Sequence, residues 1–500
     1  MKKTNEHIPQ PAGYQSLVER FEIQVLPHFR QSYVTTRGQG RTSIVNEIER
    51  HVYPKSYIPE DTFTGQLEFA LKYDGINLEI LKAVFQVCDI TELERYIKGQ
   101  PTSKYARKLW FLYEYLLDDQ LEIADVGQGN YVDLLDQAAY ITCEPVKSKR
   151  HRVNNNLLGT RDLSPMVRRT TVIDEYISKQ LGDYVKDVVA KYPEEVVLRA
   201  SQFLYLKETK SSFEIEREQP DQARTNRFVN VLKEAGQSMV LNKQKFIELQ
   251  NTIVDPRFAD TDYRLSQNYV GEALRGYREK VHYIGPRPSD VSSMMAGLLE
   301  NISRMEESNV EPVVQAAVAA FSFVFIHPFE DGNGRLHRFL IHQILTRNGF
   351  TPEKIIFPVS AVMLADLRGY DTCLERFSTQ LMPLVEYNLD DDGVLIVENE
   401  TADYYRFFDA TAMVEYLFSV IEKTIEEDFV DELNFIVAYS KAKVAIQLVV
   451  DMPDKMIDLF IKVCLDNKGK MSNTKRSRLF EKLSDDEIEQ LEKIIEENFK

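Results

Sequence analysis

One stretch constrains the fold of this chain more than any other. From Glu311 to Ile326 it reads EPVVQAAVAAFSFVFI, and after Pro312 fourteen residues pass without a charge. Proline suits a first helical turn, where its missing N–H is not needed, so a helix is predicted to begin there. A helix with no polar face must be surrounded by protein, which places it at the centre of a domain. Behind it comes a polar segment, His327 to Arg338, and then FLIHQILTRNG, which reads as an amphipathic helix closed by Asn348-Gly349.

The polar segment carries the chemistry. Gly332, Asn333 and Gly334 open the second helix, where unpaired backbone N–H groups and the positive end of the macrodipole converge and glycine lets an anion approach closely. That pattern is a phosphate cradle. Arg335 and Arg338, three apart, occupy neighbouring positions of one face and suit further phosphate oxygens. Asp331 adds one carboxylate, and a carboxylate that shares Mg2+ with substrate phosphates is a common way of holding that ion. His327, with an ordinary pKa of about 6.5, can be neutral near neutral pH and take a proton from a hydroxyl.

Around this segment the pattern is mainly α. At roughly 150 residues per domain, 500 residues suggest about three domains. Helical spacing runs from Leu67 to Ile123; a polar, basic stretch from Lys147 to Asp162 follows, then a β-like run at Val167–Val172 and a helix from about Asp183. From Val196 to Glu386 helical spacing returns, broken at Tyr269–Pro288 by Gly271, Gly276, Gly285, Pro286 and Pro288, as in a hairpin or loop. Beyond the acidic break Asp390-Asp391-Asp392-Gly393 the chain is again amphipathic and ends in a capping box, Ser484 to Glu487. We divide it into an N-terminal mostly helical domain (1–190), a catalytic domain (191–390) and a C-terminal helical domain (391–500).

The run His327 to Arg338 matches HPFx(D/E)GN(G/K)RxxR at nine specified positions. This is the signature of the Fic (Fic/Doc, Fido-domain) family, whose members mostly transfer AMP from ATP to protein hydroxyls. The resemblance implies a Fic-type helical core with a short β-hairpin flap, flanked by the mostly helical terminal domains. It implies that His327 is the general base for a Ser, Thr or Tyr hydroxyl, that Asp331 holds Mg2+, and that Asn333 and the amides of Gly332 and Gly334 bind the α- and β-phosphates. Arg335 assists there, Arg338 holds the γ-phosphate, and Phe329 anchors the loop. Thr209–Gln219, TKSSFEIEREQ, resembles the family's inhibitory motif (S/T)xxxE(G/N), with Ser212 and Glu216 in the defining positions and Arg217 in place of the last residue. The glutamate is then expected to pair with Arg338 and exclude the γ-phosphate, giving autoinhibition in cis. Segment 269–288 resembles the flap that pairs with a protein target, self-modification included, and Tyr370 stands where an aromatic residue meets adenine.

Other readings are weaker or stay open. The signature does not separate AMP transfer from transfer of UMP or phosphocholine or from AMP removal, and an ATP-sensing or DNA-binding regulatory module is a second class. A net charge of −17 disfavours broad binding to nucleic acid. The basic run Lys468 to Lys482 reads as a solvated loop. His337 and His342, ten and fifteen residues after His327, fit no zinc spacing and read as surface or packing residues. Cys88, Cys143, Cys373 and Cys464 are too widely separated for a disulfide framework, and neither an apolar leader nor a membrane-length apolar run is present. The expectation is a soluble, cytoplasmic, ATP- and Mg2+-using protein of undetermined oligomeric state.

Overall fold

Glu311 starts the central helix. Its carboxylate accepts from the N–H groups of Val313 (2.7 Å) and Val314 (3.0 Å), Pro312 takes the first position, and the helix runs Pro312–Ile326. Every residue in it except Pro312 and Val324 is buried in this computed structural model, which describes residues 9–235, 239–274, 278–352, 354–390 and 392–499. Gly276 of the flap and Asp391 of the acidic break lie outside the described residues.

The following helix, Asn333–Arg347, is not amphipathic as expected. It is buried on every face from Arg335 to Leu345, because it packs along the central helix and its polar residues find partners inside, as where His337 Nδ1 meets the Ala320 carbonyl at 2.8 Å. Helix Pro288–Glu307 packs on the central helix as well.

Among the described residues the protein is mainly helical, with four small sheets. Helices Phe63–Phe69, Leu78–Val87, Ile90–Gly99 and Lys104–Leu117 are each capped by a side chain, from Thr62, Asn77, Asp89 and Ser103. A short π-helical turn, Ala70–Asp74, ends at Gly75, whose φ of 92° and approach to Tyr140 leave no room for a β-carbon. Ahead of these helices the chain forms a sheet that helical spacing gave no sign of, in the order Gln10–Ala12, Arg30–Val34, Ile48–Tyr53, Arg41–Val45. Its last hairpin turns at Asn46 and Glu47, both left-handed. A second sheet joins Val132–Asp133, Val153–Asn155 and Val146–Ser148. The β-like run at Val167–Val172 is not a strand: only isolated bridges form at Met166 and Arg168, and Thr170 Oγ1 accepts from Ile173 N–H to start helix Thr171–Ser178.

The flap is a two-stranded antiparallel sheet, Tyr269–Leu274 with Arg278–Ile284, in register Tyr269↔Ile284 and bulged between Val270 and Gly271. A second hairpin, Tyr387–Leu389 with Leu395–Val397, brackets the acidic break.

By compactness the chain forms two units, each discontinuous in sequence: Met1–Ser178, Ala235–Asn348 and Asp366–Phe418 in the first, and Lys179–Glu234, Gly349–Ala365 and Ser419–Lys500 in the second. The contiguous ranges 1–190, 191–390 and 391–500 are a division by sequence pattern, a different criterion. In the second unit, helix Glu194–Ile215 packs against Val430–Val449, and Asp454–Leu465 and Asp485–Asn498 close a core around Phe460, Ile461 and Leu491. The Ser484–Glu487 capping box is formed. The basic run there includes a short helix, Asn473–Leu479, with Lys470 paired to Glu492 and Arg476 to Asp485. Among the described residues no single helix is long and apolar enough to cross a membrane.

Burial pushes the Glu311 carboxyl from 4.5 up to about 7 against the pull of the two N–H groups it caps. Between those values the folded chain binds more protons than the unfolded one, so this group's contribution to stability falls as pH rises through the window. Glu311→Gln keeps an acceptor and removes the titration. Urea unfolding from pH 4.5 to 7 is expected to show a shallower decline in stability for the variant, with the remainder due in part to Asp74, whose carboxyl burial also raises to about 7.

Candidate active site

His327 is where the central helix stops. Its N–H still bonds the Phe323 carbonyl at 2.9 Å, but its backbone turns left-handed (φ 51°, ψ 60°), and the residue is half-buried where its helical neighbours are buried. For a residue with a β-carbon that conformation costs about 1–2 kcal/mol, which the packing of the helix supports. Nδ1 lies 3.1 Å from the Val324 carbonyl. A carbonyl only accepts, so Nδ1 carries the proton, and in the neutral ring Nε2 is the nitrogen with the lone pair.

At the other end of the loop Gly332 begins the next helix with φ 88°, and a β-carbon there would stand 3.0 Å from Val254 Cγ1. Glycine is required at this corner. Asn333 is buried; its side-chain oxygen accepts from Phe329 N–H (3.0 Å) and its amide donates to the Phe329 carbonyl (2.8 Å). The Asn333 side chain therefore clamps the loop's own backbone, and its main-chain N–H, in the first turn, is what it offers an anion. Phe329 is fully buried, with its ring 5.6 Å from Tyr263 and 6.4 Å from Phe323.

The structure joins two residues that the sequence reading kept apart. Arg335 Nη2 donates to Asp331 Oδ1 at 2.8 Å, and the same oxygen accepts from Gly332 N–H at 2.6 Å. Arg335 and Arg338 are 1% and 0% exposed, whereas the Asp331 side chain is 43% exposed. Two guanidiniums at this depth, beside a helix N-terminus, are poorly screened and favour an anion. Among the described residues no group of three or more His, Cys, Asp or Glu is placed to hold a metal. One half-exposed carboxylate fits a hard divalent cation that draws its other ligands from substrate phosphates and water, so Asp331 suits an ion arriving with a nucleotide.

The sequence profile of the Fic/DOC family matches residues 240–345, a range that contains this whole loop and both helices up to its end. The chain contains a Fic/DOC domain. Over 122 residues it is 33% identical to the protein adenylyltransferase Fic of Aedes aegypti, covering 23% of this chain and 22% of that one. Over 125 residues it is 32% identical to the protein of the same name from Drosophila ananassae, covering 24% and 22%. The match thus spans about a fifth of the length of these curated relatives. Among solved structures, a Fic family protein from Desulfovibrio desulfuricans G20 aligns with a TM-score of 0.38 at 19% identity, over 56% of this chain and 81% of that one.

Other expected residues lie outside the matched range of the Fic/DOC domain. Tyr370 is buried in helix Leu367–Leu381, its ring 6.2 Å from His337 and 6.3 Å from Tyr416. It is grouped with the interior face of the Asn333–Arg347 helix. Ser212 and Glu216 belong to the second compact unit: Ser212 is buried in the last turn of Glu194–Ile215, and Glu216 is the residue at which that helix ends, before Arg217 at φ 58°. His337 and His342 are buried packing residues.

Sequence reasoning missed Arg264. Its guanidinium is 3% exposed and donates to the carbonyls of His327 (2.8 Å), Ser266 (2.8 Å) and Pro286 (2.5 Å), while its own N–H bonds the Pro328 carbonyl at 2.8 Å. It ties the 327–338 loop of the Fic/DOC domain to both feet of the flap. Burial lowers its pKa to about 10, so it stays charged at neutral pH. Asn268 adds a second tie, to the Phe329 carbonyl at 3.2 Å. Arg264 stands in no motif and Asn268 only at the edge of the flap-like run; the folded chain brings both to the loop. Each buried carbonyl left without its donor costs about 1–3 kcal/mol, and lysine cannot span three acceptors with a planar fork. Arg264→Lys and Arg264→Ala are each expected to lose roughly 2–4 kcal/mol in denaturant unfolding, with lysine rescuing little of it.

Proposed function

We propose that this chain transfers AMP from ATP to a hydroxyl of a protein. The observation that carries the reading is the tautomer of His327: its Nδ1 is committed to the Val324 carbonyl, so the lone pair of Nε2 serves as base beside a loop that ends in a helix N-terminus. The target hydroxyl attacks the α-phosphorus, Nε2 takes its proton, and the bond to the bridging oxygen breaks to release pyrophosphate. The main-chain N–H groups of Asn333 and Gly334, with Arg335 and Arg338, take up the charge on the phosphates, joined by the Gly332 N–H once Asp331 releases it. A magnesium ion bound with the nucleotide supplies further neutralisation, and Asp331 would hold it. The target segment adds as a strand to the hairpin at 269–288, whose sheet has only two strands. The names of the relatives favour AMP over other groups. The cytoplasm is the compartment that suits an ATP-dependent reaction on protein targets.

The same reading includes restraint by Ser212 and Glu216. A carboxylate at the C-terminal end of a helix faces the negative pole of the macrodipole and gains from a cation. We assign Arg338 as that cation, its guanidinium then being withheld from the γ-phosphate.

The full chain incubated with labelled ATP tests both parts. His327→Ala is expected to abolish self-modification, and Glu216→Gly to raise it by about tenfold or more, the worth of one charge-assisted hydrogen bond. Intact-mass measurement separates AMP from UMP or phosphocholine adducts. If Glu216→Gly stays at the wild-type level while His327→Ala is dead, transfer stands and restraint falls. If His327→Ala still transfers, the mechanism is wrong.

A further inference from the structure

A cavity of about 160 Å3 lies in the first compact unit, and none of residues 327–338 lines it. Its walls include Phe29, Phe377, Phe407 and Phe408. An apolar void of roughly this size stays dry and admits benzene. This one is not purely apolar. Glu79, 3% exposed, lines it; Oε1 accepts the Leu26 N–H at 2.7 Å, and among the described residues nothing bonds Oε2. Oε2 is thus open to a polar atom of an occupant of the cavity.

The charges at the lining are paired with one another. Burial pushes the Glu79 carboxyl well above its ordinary range, which favours the protonated acid and its O–H donor. His28 is satisfied by the Asp74 carbonyl (2.9 Å) and the Asn77 side chain (3.1 Å), and burial lowers its pKa to about 4, leaving it neutral. At the lining, Arg168 is answered by Asp409 (2.9 Å) and Arg376 by Glu47 (3.2 Å). An anion would have to displace those carboxylates, whereas a neutral molecule would not.

We propose that this cavity binds a compact, neutral, planar ring bearing a carbonyl or amide oxygen, which accepts a hydrogen bond from Glu79 while the ring packs among the four phenylalanines. Phe377 and Phe408 also pack on Phe325, at 4.5 and 5.3 Å, two residues before His327. One layer of rings, Phe377 and Phe408, therefore separates the occupant from the central helix.

Calorimetry and ligand-observed NMR on the full chain, with benzamide, benzoate and toluene as probes, test the assignment. Benzamide is expected to bind about tenfold more tightly than toluene, which has the same ring without the acceptor, and more tightly than benzoate. Ala412→Trp, which fills the cavity, is expected to abolish benzamide binding without lowering the unfolding temperature. Glu79→Met is expected to cancel the advantage of benzamide over toluene, and serves if the tryptophan variant does not fold. Absence of benzamide binding at millimolar concentration, tighter binding of benzoate, or benzamide binding unchanged in a folded variant would each overturn the proposal.

Discussion

The interaction on which the rest depends is burial of the uncharged central helix. Each fully buried Val or Phe contributes roughly 1.5–3 kcal/mol, and Pro312–Ile326 commits almost its whole circumference to neighbours: Pro288–Glu307, Asn333–Arg347 and Ala402–Arg406. A helix so enclosed has one position and one axial rotation. Where it ends is then fixed, and His327 is at that end. The left-handed turn that brings the imidazole out of the helix is affordable because the packing behind it leaves no alternative path.

The loop is held from both sides, by different means. From within, Asn333 grips both polar groups of Phe329's backbone while the Phe329 ring is buried. From without, Arg264 and Asn268 take up the carbonyls of His327, Pro328 and Phe329. Once these carbonyls are occupied, the loop's backbone presents fewer acceptors to an incoming anion. The loop thereby becomes an anion site by subtraction as well as by dipole. Arg264 also bonds the Pro286 carbonyl, so the strand that would align a target and the base that would deprotonate it share one guanidinium.

How much of this was legible in the sequence follows from the range of the interactions. The central helix, the hairpin and the Ser484–Glu487 cap are local, written in periodicity, glycine and capping residues, and they formed as read. The loop residues were legible because their chemistry is contiguous. The N-terminal sheet was not: its strands Arg30–Val34 and Ile48–Tyr53 pair in parallel across an intervening hairpin that turns on Asn46-Glu47, where no glycine marks the turn. Helix Asn333–Arg347 misled for another reason. Its His, Gln and Arg suggested a wet face, but tertiary packing gives such residues internal partners, which spacing alone cannot reveal. Arg264 and the cavity around Glu79 are products of topology, assembled from segments far apart in the chain.

The ion pair between Asp331 and Arg335 bears on how such a site can stand without a ligand and still accept one. Arg335 is fully buried, and a buried guanidinium without a counter-charge would cost several kcal/mol. Asp331 supplies that counter-charge from a half-exposed position one helical turn away. On the proposed reaction, Arg335 would turn from carboxylate to phosphate, and Asp331 would be the residue to hold a cation bound with the nucleotide. At no stage is a buried charge left alone. Asp331 is reachable from solvent while Arg335 is not, so an exchange of this kind would begin at Asp331.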